Sequence, residues 1–209
     1  MWRYCALSVL LVGCCKNCGD QTTTRFYEDG RAKPVVVLAP VVDTTSSDLG
    51  WSLSEEFTSL ITRRINAGSS VVVLSGDEYG YTENPFGEEL SWMKREFSEK
   101  EFVAFLELVE HEIAPAKGTV IVPFETPMNL KMAVRLRLVD LRGTEPKIVL
   151  QELVKDSFYI PRTEIPIDYK LAIWGTGEYN DSPMRTAHEE IVEEISKRIK
   201  DYLFLAKSR

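Results

Sequence analysis

The sequence predicts an α/β domain built on a mixed sheet, with helices packed on it in the order β-α-β-α-β-β-β-α. Three features predict it. Two continuous β-branched runs, at residues 34–42 and 71–74, flank a stretch of helical period. A later segment, 130–139, alternates apolar and polar residues. The C-terminal stretch carries apolar residues at helical spacing.

The first strand is Pro34-Val35-Val36-Val37-Leu38-Ala39-Pro40-Val41-Val42, a run apolar on both faces and therefore buried on both. Ser52-Leu53-Ser54-Glu55 has the spacing of a capping box. Leu53, Phe57, Leu60, Ile61 and Ile65 then form a helical stripe, with Gly68 as its stop. A second buried strand, 71–74, completes a βαβ unit. Residues 76–97 carry Gly76, Gly80, Pro85 and Gly87 and read as a long loop with a short helix near 90–95. Long loops in compact domains are often functional. Here its aromatics serve either as a contact surface or as pins holding the loop to the domain.

Ser98-Glu99-Lys100-Glu101 is a second capping box. Phe102, Phe105, Leu106, Val109 and Ile113 follow at helical spacing up to Pro115, so this stretch is expected to be a helix. A strand is expected at 119–124. Leu130, Met132, Val134, Leu136 and Leu138 alternate with Lys131, Ala133, Arg135, Arg137 and Val139, the pattern of a strand with one buried and one wet face. Residues 142–146 turn the chain into a return strand at 148–159. Its alternation breaks near Gln151 and Glu152, which suggests a bulge. After an irregular stretch with Pro161 and Pro166, Ser182 caps the last helix and Pro183 takes its first position. Ala187, Ile191, Ile195, Ile199, Tyr202 and Leu203 line one face of that helix.

The first eighteen residues differ from everything after them. Arg3 precedes an apolar run at 6–12, then Gly13, and all four cysteines, Cys5, Cys14, Cys15 and Cys18, fall here. The run is too short to span a bilayer, which needs roughly 20 apolar residues. Its layout resembles an export signal, and Leu11-Val12-Gly13-Cys14 resembles the lipobox of bacterial lipoproteins. The resemblance implies cleavage before Cys14 and a diacylglyceryl group on it. The expected organisation is a signal peptide at 1–13, a lipidated N-terminus and tether at 14–33, and a single domain at 34–209. An ordinary signal peptide is the plainer alternative. Cys15 and Cys18 have Cys-x-x-Cys spacing, but no histidine or second pair completes a zinc set.

The chain has 209 residues, is 44% hydrophobic and 27% charged, and carries a net charge of −7. It can bury a real core. An acidic surface argues against nucleic acid as a partner.

The succession Val36-Val37-Leu38-Ala39-Pro40, the 53–65 helix, Gly118-Thr119-Val120-Ile121-Val122 and Leu136-Arg137-Leu138-Val139-Asp140 resembles a domain of bacterial envelope proteins. Examples are the amino-terminal domain of TolB, LpoB and CsgG. Leu138-Val139-Asp140-Leu141-Arg142-Gly143, Pro146-Lys147-Ile148-Val149-Leu150-Gln151-Glu152, Trp174-Gly175-Thr176-Gly177 and Ser182-Pro183-Met184-Arg185-Thr186-Ala187-His188 together resemble uncharacterised lipoproteins of chlamydial and planctomycete bacteria. That resemblance implies a lineage and a compartment and brings no catalytic residue with it.

Only two histidines are present, His111 and His188. His188 would be the base of any Ser-His-Asp set, but no nucleophile elbow accompanies it. More often a histidine there bonds a neighbouring loop. His111 is expected near a helix C-terminus, where a cation is favoured. Trp174-Gly175-Thr176-Gly177 lacks a phosphate-loop lysine and reads as a tight turn beside Tyr179. Glu189, Glu190, Glu193 and Glu194 have helix spacing, with Glu193 and Lys197 an i,i+4 pair. Asp77, Glu78, Glu83, Glu88 and Glu89 are a weak cation site at best. No cofactor and no metal are expected.

The leading expectation is a non-catalytic, lipid-anchored protein at the outer membrane, facing the periplasm. It would bind an envelope protein or peptidoglycan component through Tyr79, Tyr81, Phe86 and Trp92. The alternatives are an envelope hydrolase using His188 and a secretion-pore subunit in which residues 130–159 form a membrane hairpin.

Overall fold

The computed structural model describes residues 25–118, 126–160 and 173–208. Among these residues six strands form one mixed, open sheet: β1 Val35–Leu38, β2 Val42–Asp43, β3 Val72–Ser75, β4 Phe102–Pro115, β5 Met128–Asp140 and β6 Lys147–Ile160. Four helices accompany them: α1 Leu53–Ala67, α2 Ser91–Glu96, α3 Gly177–Asn180 and α4 Pro183–Lys207. The spatial order is β3-β1-β4-β5-β6, and β2 prolongs the line of β1 along β4. β1 pairs in parallel with β3 and β4, while β4-β5 and β5-β6 are antiparallel.

The βαβ unit forms as its sequence predicts. Ser52 caps α1 by accepting from the Glu55 N–H at 3.2 Å, and Leu53, Phe57, Leu60, Ile61 and Ile65 are buried. Gly76, just past β3, stands where a Cβ would fall 2.5 Å from the Leu38 carbonyl oxygen. Only glycine lets the two strand ends approach so closely. Ser182 caps α4, with Pro183 in its first turn, and Ala187, Ile191, Ile195, Ile199 and Leu203 are buried. The α1 and α4 helices lie together over one face of the sheet. There they enclose Val36, Leu38, Leu106, Leu130, Val134 and Leu138.

The segment 102–113 is a correction: it is strand β4, not a helix. Its first five residues, Phe102 to Leu106, are all buried because both faces of this central strand are covered. A run buried on both faces has no alternation to show, and its apolar residues fell by coincidence at helical intervals. Glu101 does not cap a helix; its carboxylate accepts from the Val35 N–H at 3.1 Å and pairs with Lys207 at 3.0 Å. The helix preceding β4 is the short α2, so the element order holds with different occupants. The strand expected at 119–124 lies outside the described residues.

A smaller core covers the opposite face of the sheet. Trp92, Met93 and Phe97 pack on Val37, Val103, Phe105 and Val139. The expected wet face of β5 is therefore dry at this end, and Arg137 is only 3% exposed. Two bulges adjust the sheet. Between β5 and β6 the extra residue is Val149, earlier than the Gln151–Glu152 expected. Between β4 and β5 it is Val109: Leu108 pairs with Val134, then Glu110 with Ala133.

Candidate functional site

The Val109 bulge decides where His111 points. Phe102, Ala104, Leu106 and Leu108 face the α1/α4 side. In an unbroken strand the odd-numbered His111 would face the other way. One extra residue reverses the alternation, so His111 joins the helix side, where it is buried. This corrects the expectation of a helix C-terminus for His111.

There it meets His188, whose side chain is wholly buried in the first turns of α4. The two Nε2 atoms are 3.0 Å apart. His188 Nδ1 lies 2.7 Å from Glu56 Oε1 and 3.2 Å from the Tyr179 hydroxyl. The Tyr179 hydroxyl also donates to Glu56 Oε1, and the Trp51 indole N–H donates to Glu56 Oε2 at 2.6 Å. Phe57 packs against the His188 ring at 5.1 Å between centroids. Residues from the α1 entrance, α1, β4, α3 and α4 thus close one polar cluster inside an apolar core.

The electrostatics follow from that enclosure. Burial pushes Glu56 up, but the hydrogen bond and charge of His188 and the Tyr179 and Trp51 donors outweigh it, so the carboxyl is held below its ordinary value. Burial, then the nearby His188 charge, depress His111 to about 4. Burial and the Glu56 carboxylate push the Tyr179 phenol up. The tautomers that fit are a Glu56 carboxylate accepting from His188 Nδ1–H, with one hydrogen bond shared between the two Nε2 atoms. Both ring nitrogens of His188 are thereby engaged, and among the described residues no serine or threonine hydroxyl bonds to them.

Glu56 is the member that sequence reasoning missed. It lies three residues after Leu53 and four before Leu60, within the apolar stripe of α1, and a carboxylate at such a position signals a buried partner. Trp174-Gly175-Thr176-Gly177 is the expected turn: Gly175 has φ +91 and Thr176 caps α3 by accepting from the Tyr179 N–H.

The 76–97 loop is bound to the sheet by its aromatics and by Arg137. Trp92 is 3% exposed, which corrects the expectation that it is presented to solvent, while Tyr79, Tyr81 and Phe86 are half-buried. Tyr81 stacks on Trp92 at 5.4 Å and meets Phe105 edge-on at 5.4 Å. The Arg137 guanidinium donates to the carbonyls of Pro85, Phe86 and Gly87 at 2.6–3.0 Å and to Gln151 at 2.8 Å. Burial, with Arg135 beside it, pulls its pKa down. The loop's carboxylates are dispersed: Asp77 accepts from the Ser75 hydroxyl, Glu83 pairs with Arg95, and Glu89 accepts from the Ser91 N–H.

On α4, Glu193 pairs with Arg64 of α1 rather than with Lys197, which pairs with Asp201. No three His, Cys, Asp or Glu side chains converge as a metal site among the described residues. No helix among them is long and apolar enough to cross a membrane. Cys14, Cys15 and Cys18 lie outside them.

Fold and sequence together place the chain in a class. Residues 22–207 match the model of a family of unknown function, DUF7499, and the chain belongs to that family. No curated protein matches the sequence. Among solved structures, a hypothetical protein of Chlamydia trachomatis is similar. It has a TM-score of 0.65 at 22% identity, over 82% of this chain and 98% of that one. A Xanthomonas campestris protein of family DUF330 has a TM-score of 0.53 at 7% identity, over 86% and 94%. Looser matches include rare lipoprotein B of Shewanella oneidensis, with a TM-score of 0.35 at 11% identity over 84% and 97%. At these identities the likeness is one of fold, and the last is too loose to carry an argument.

Proposed function

We propose that this chain is a lipid-anchored envelope protein, attached through Cys14, that acts by binding rather than by catalysis. The observation that carries the second half is the enclosure of Glu56, His188, His111 and Tyr179. They are the residues best suited to acid–base chemistry, and each is spent on holding α1, α3 and α4 to β4. A general base must come within about 3 Å of the proton it takes, and no substrate reaches a ring that is wholly buried. This weighs against a hydrolase built on His188. The pore reading fares no better, because Leu130, Val134 and Leu138 of the supposed hairpin are buried under the helices.

The contact surface in this reading is the outer rim of the 76–97 loop. Tyr79, Tyr81 and Phe86 keep part of their surface, beside exposed Glu83, Glu88 and Glu89. Arg137 and Trp92 hold that rim rigid, which reduces the ordering cost of binding. The partner is an envelope protein or a cell-wall component, and the setting is the periplasmic face of the outer membrane. A photo-crosslinking residue placed at Glu88 in living cells tests this, with one at the exposed Lys155 on β6 as control. A discrete adduct from Glu88 alone is expected. The same adducts from both sites, or none from Glu88, would remove the loop from the account.

A further inference from the structure

The chain enters its domain at one particular end of the sheet. The starts of β1, β3, β4 and β6 lie at that end, since Val35 pairs with Val72, Val36 with Phe102, Phe102 with Asp140 and Asp140 with Lys147. The C-terminus of α4 is there too: Lys207 reaches the Lys33 carbonyl at 3.2 Å, and the Ala206 carbonyl accepts from Arg142 at 2.8 Å. The residues 25–33 are fastened across the same end. Phe26 bridges Ala32, and the Tyr27 hydroxyl donates to the Ser70 carbonyl at 2.8 Å.

This pole presents both charged and apolar side chains to solvent: Glu28, Asp29, Arg31, Glu145 and Lys147 are exposed, and large apolar side chains lie among them. Eight large apolar side chains are well exposed among the described residues, and four of them, Phe26, Ile148, Phe204 and Leu205, are here. Ile148, Val149, Tyr202 and Leu205 line a groove of about 320 Å³, edged by Arg142 and Lys147. Lys147 at this edge can lay its stem along lipid and its head among phosphates, while Arg142 is already paired with Asp140.

The length of chain before Arg25 selects the occupant. Arg25 stands only eleven positions after Cys14 (25 − 14). That length of chain reaches at most about 40 Å. The α4 helix, 25 residues and about 37 Å long, runs away from this pole. A lipid on Cys14 would keep the Phe204–Leu205 end within a tether's span of the head groups, whereas the Ser182 end lies a helix length away from that pole.

We infer that this pole docks on the bilayer surface, with Phe26, Ile148, Phe204 and Leu205 resting in the head-group region, so that the domain is oriented and not merely leashed. This rests on the lipid anchor at Cys14. It leaves the opposite pole facing the periplasm, with the 76–97 loop on the flank of the sheet opposite α1 and α4.

The test uses the full lipidated chain, with Cys15 and Cys18 changed to Ser, in vesicles of phosphatidylethanolamine and phosphatidylglycerol with brominated acyl chains. An environment-sensitive fluorophore is attached at L205C or, separately, at E190C near the far end of α4. Flotation and intact mass report anchoring independently of the fluorophore. The expected result is flotation of both proteins, with quenching at position 205 at least threefold that at 190. Phe204→Glu in the L205C protein should abolish the difference while flotation persists. Flotation with equal quenching at both positions overturns the docking and leaves the anchor standing. A protein of unlipidated mass that does not float overturns both. A fluorophore at 205 already shielded without vesicles puts a second copy or a protein partner on this pole and also overturns the proposal.

Discussion

Lowering the pH from 7 to 5 should destabilise the domain through one residue. His111 has an ordinary pKa of 6.5 and is held at about 4 in the fold. A folded-state pKa below the unfolded one means that the unfolded chain binds the proton first. Stability is therefore full above about 6.5, falls as the pH drops toward 4, and has no further to fall through this group below that. Linkage over those two values gives a loss of about 2 kcal/mol between pH 7 and pH 5. That is a large share of a domain stability of about 5–15 kcal/mol. Glu56, whose pKa is depressed, loses its contribution only below its ordinary 4.5, outside this window. Urea unfolding at pH 7, 6 and 5, in wild type and His111→Gln, measures the effect. Glutamine keeps an amide that can bond to His188 but cannot titrate. The wild type should lose about 2 kcal/mol over the range and the variant much less. Parallel losses in the two proteins would refute the burial of His111 beside His188.

Three other perturbations test separate parts of the fold. Ile195 is fully buried in α4, so Ile195→Ala should cost about 2–5 kcal/mol, whereas Glu194→Ala, which removes an exposed pair with Arg198, should shift the melting midpoint little. Arg137→Ala removes the donor to three loop carbonyls and should cost at least about 1.5–3 kcal/mol. The accompanying signature is faster proteolysis within 76–97, and unchanged cleavage there would show that the aromatics alone hold the loop. Thermal melts with and without reductant should superimpose, since no cysteine follows Cys18.

The legible parts of this fold were those with a strong local signal, a β-branched run, a clean alternation or a capped apolar stripe. The α1 and α4 helices each had a serine cap and a single apolar stripe, and β5 showed the clean alternation of Leu130 to Leu138. Strand β4 was illegible for the opposite reason. With both faces covered its apolar run loses periodicity, and Phe102, Phe105, Leu106, Val109 and Ile113 mimic a helix. The discriminating sign was the five consecutive apolar residues, Phe102 to Leu106, which an amphipathic helix would have interrupted. The polar cluster was half legible. Glu56 in an apolar stripe and His188 in a buried helix each called for a partner. Their union with His111 depends on the Val109 bulge and on contacts 77 and 132 residues apart in sequence, which no local pattern records. The 76–97 loop announced its aromatics but not the direction they face, because that depends on which side of the sheet the helices leave open.

Anchoring through Cys14 is decided by metabolic labelling with a clickable fatty acid, followed by mass spectrometry of the N-terminus, in wild type and Cys14→Ser. The expected result is a labelled chain that begins at Cys14 in the wild type and no label in the variant. Equal labelling of the two, or a wild-type chain that carries no acyl group, would contradict it.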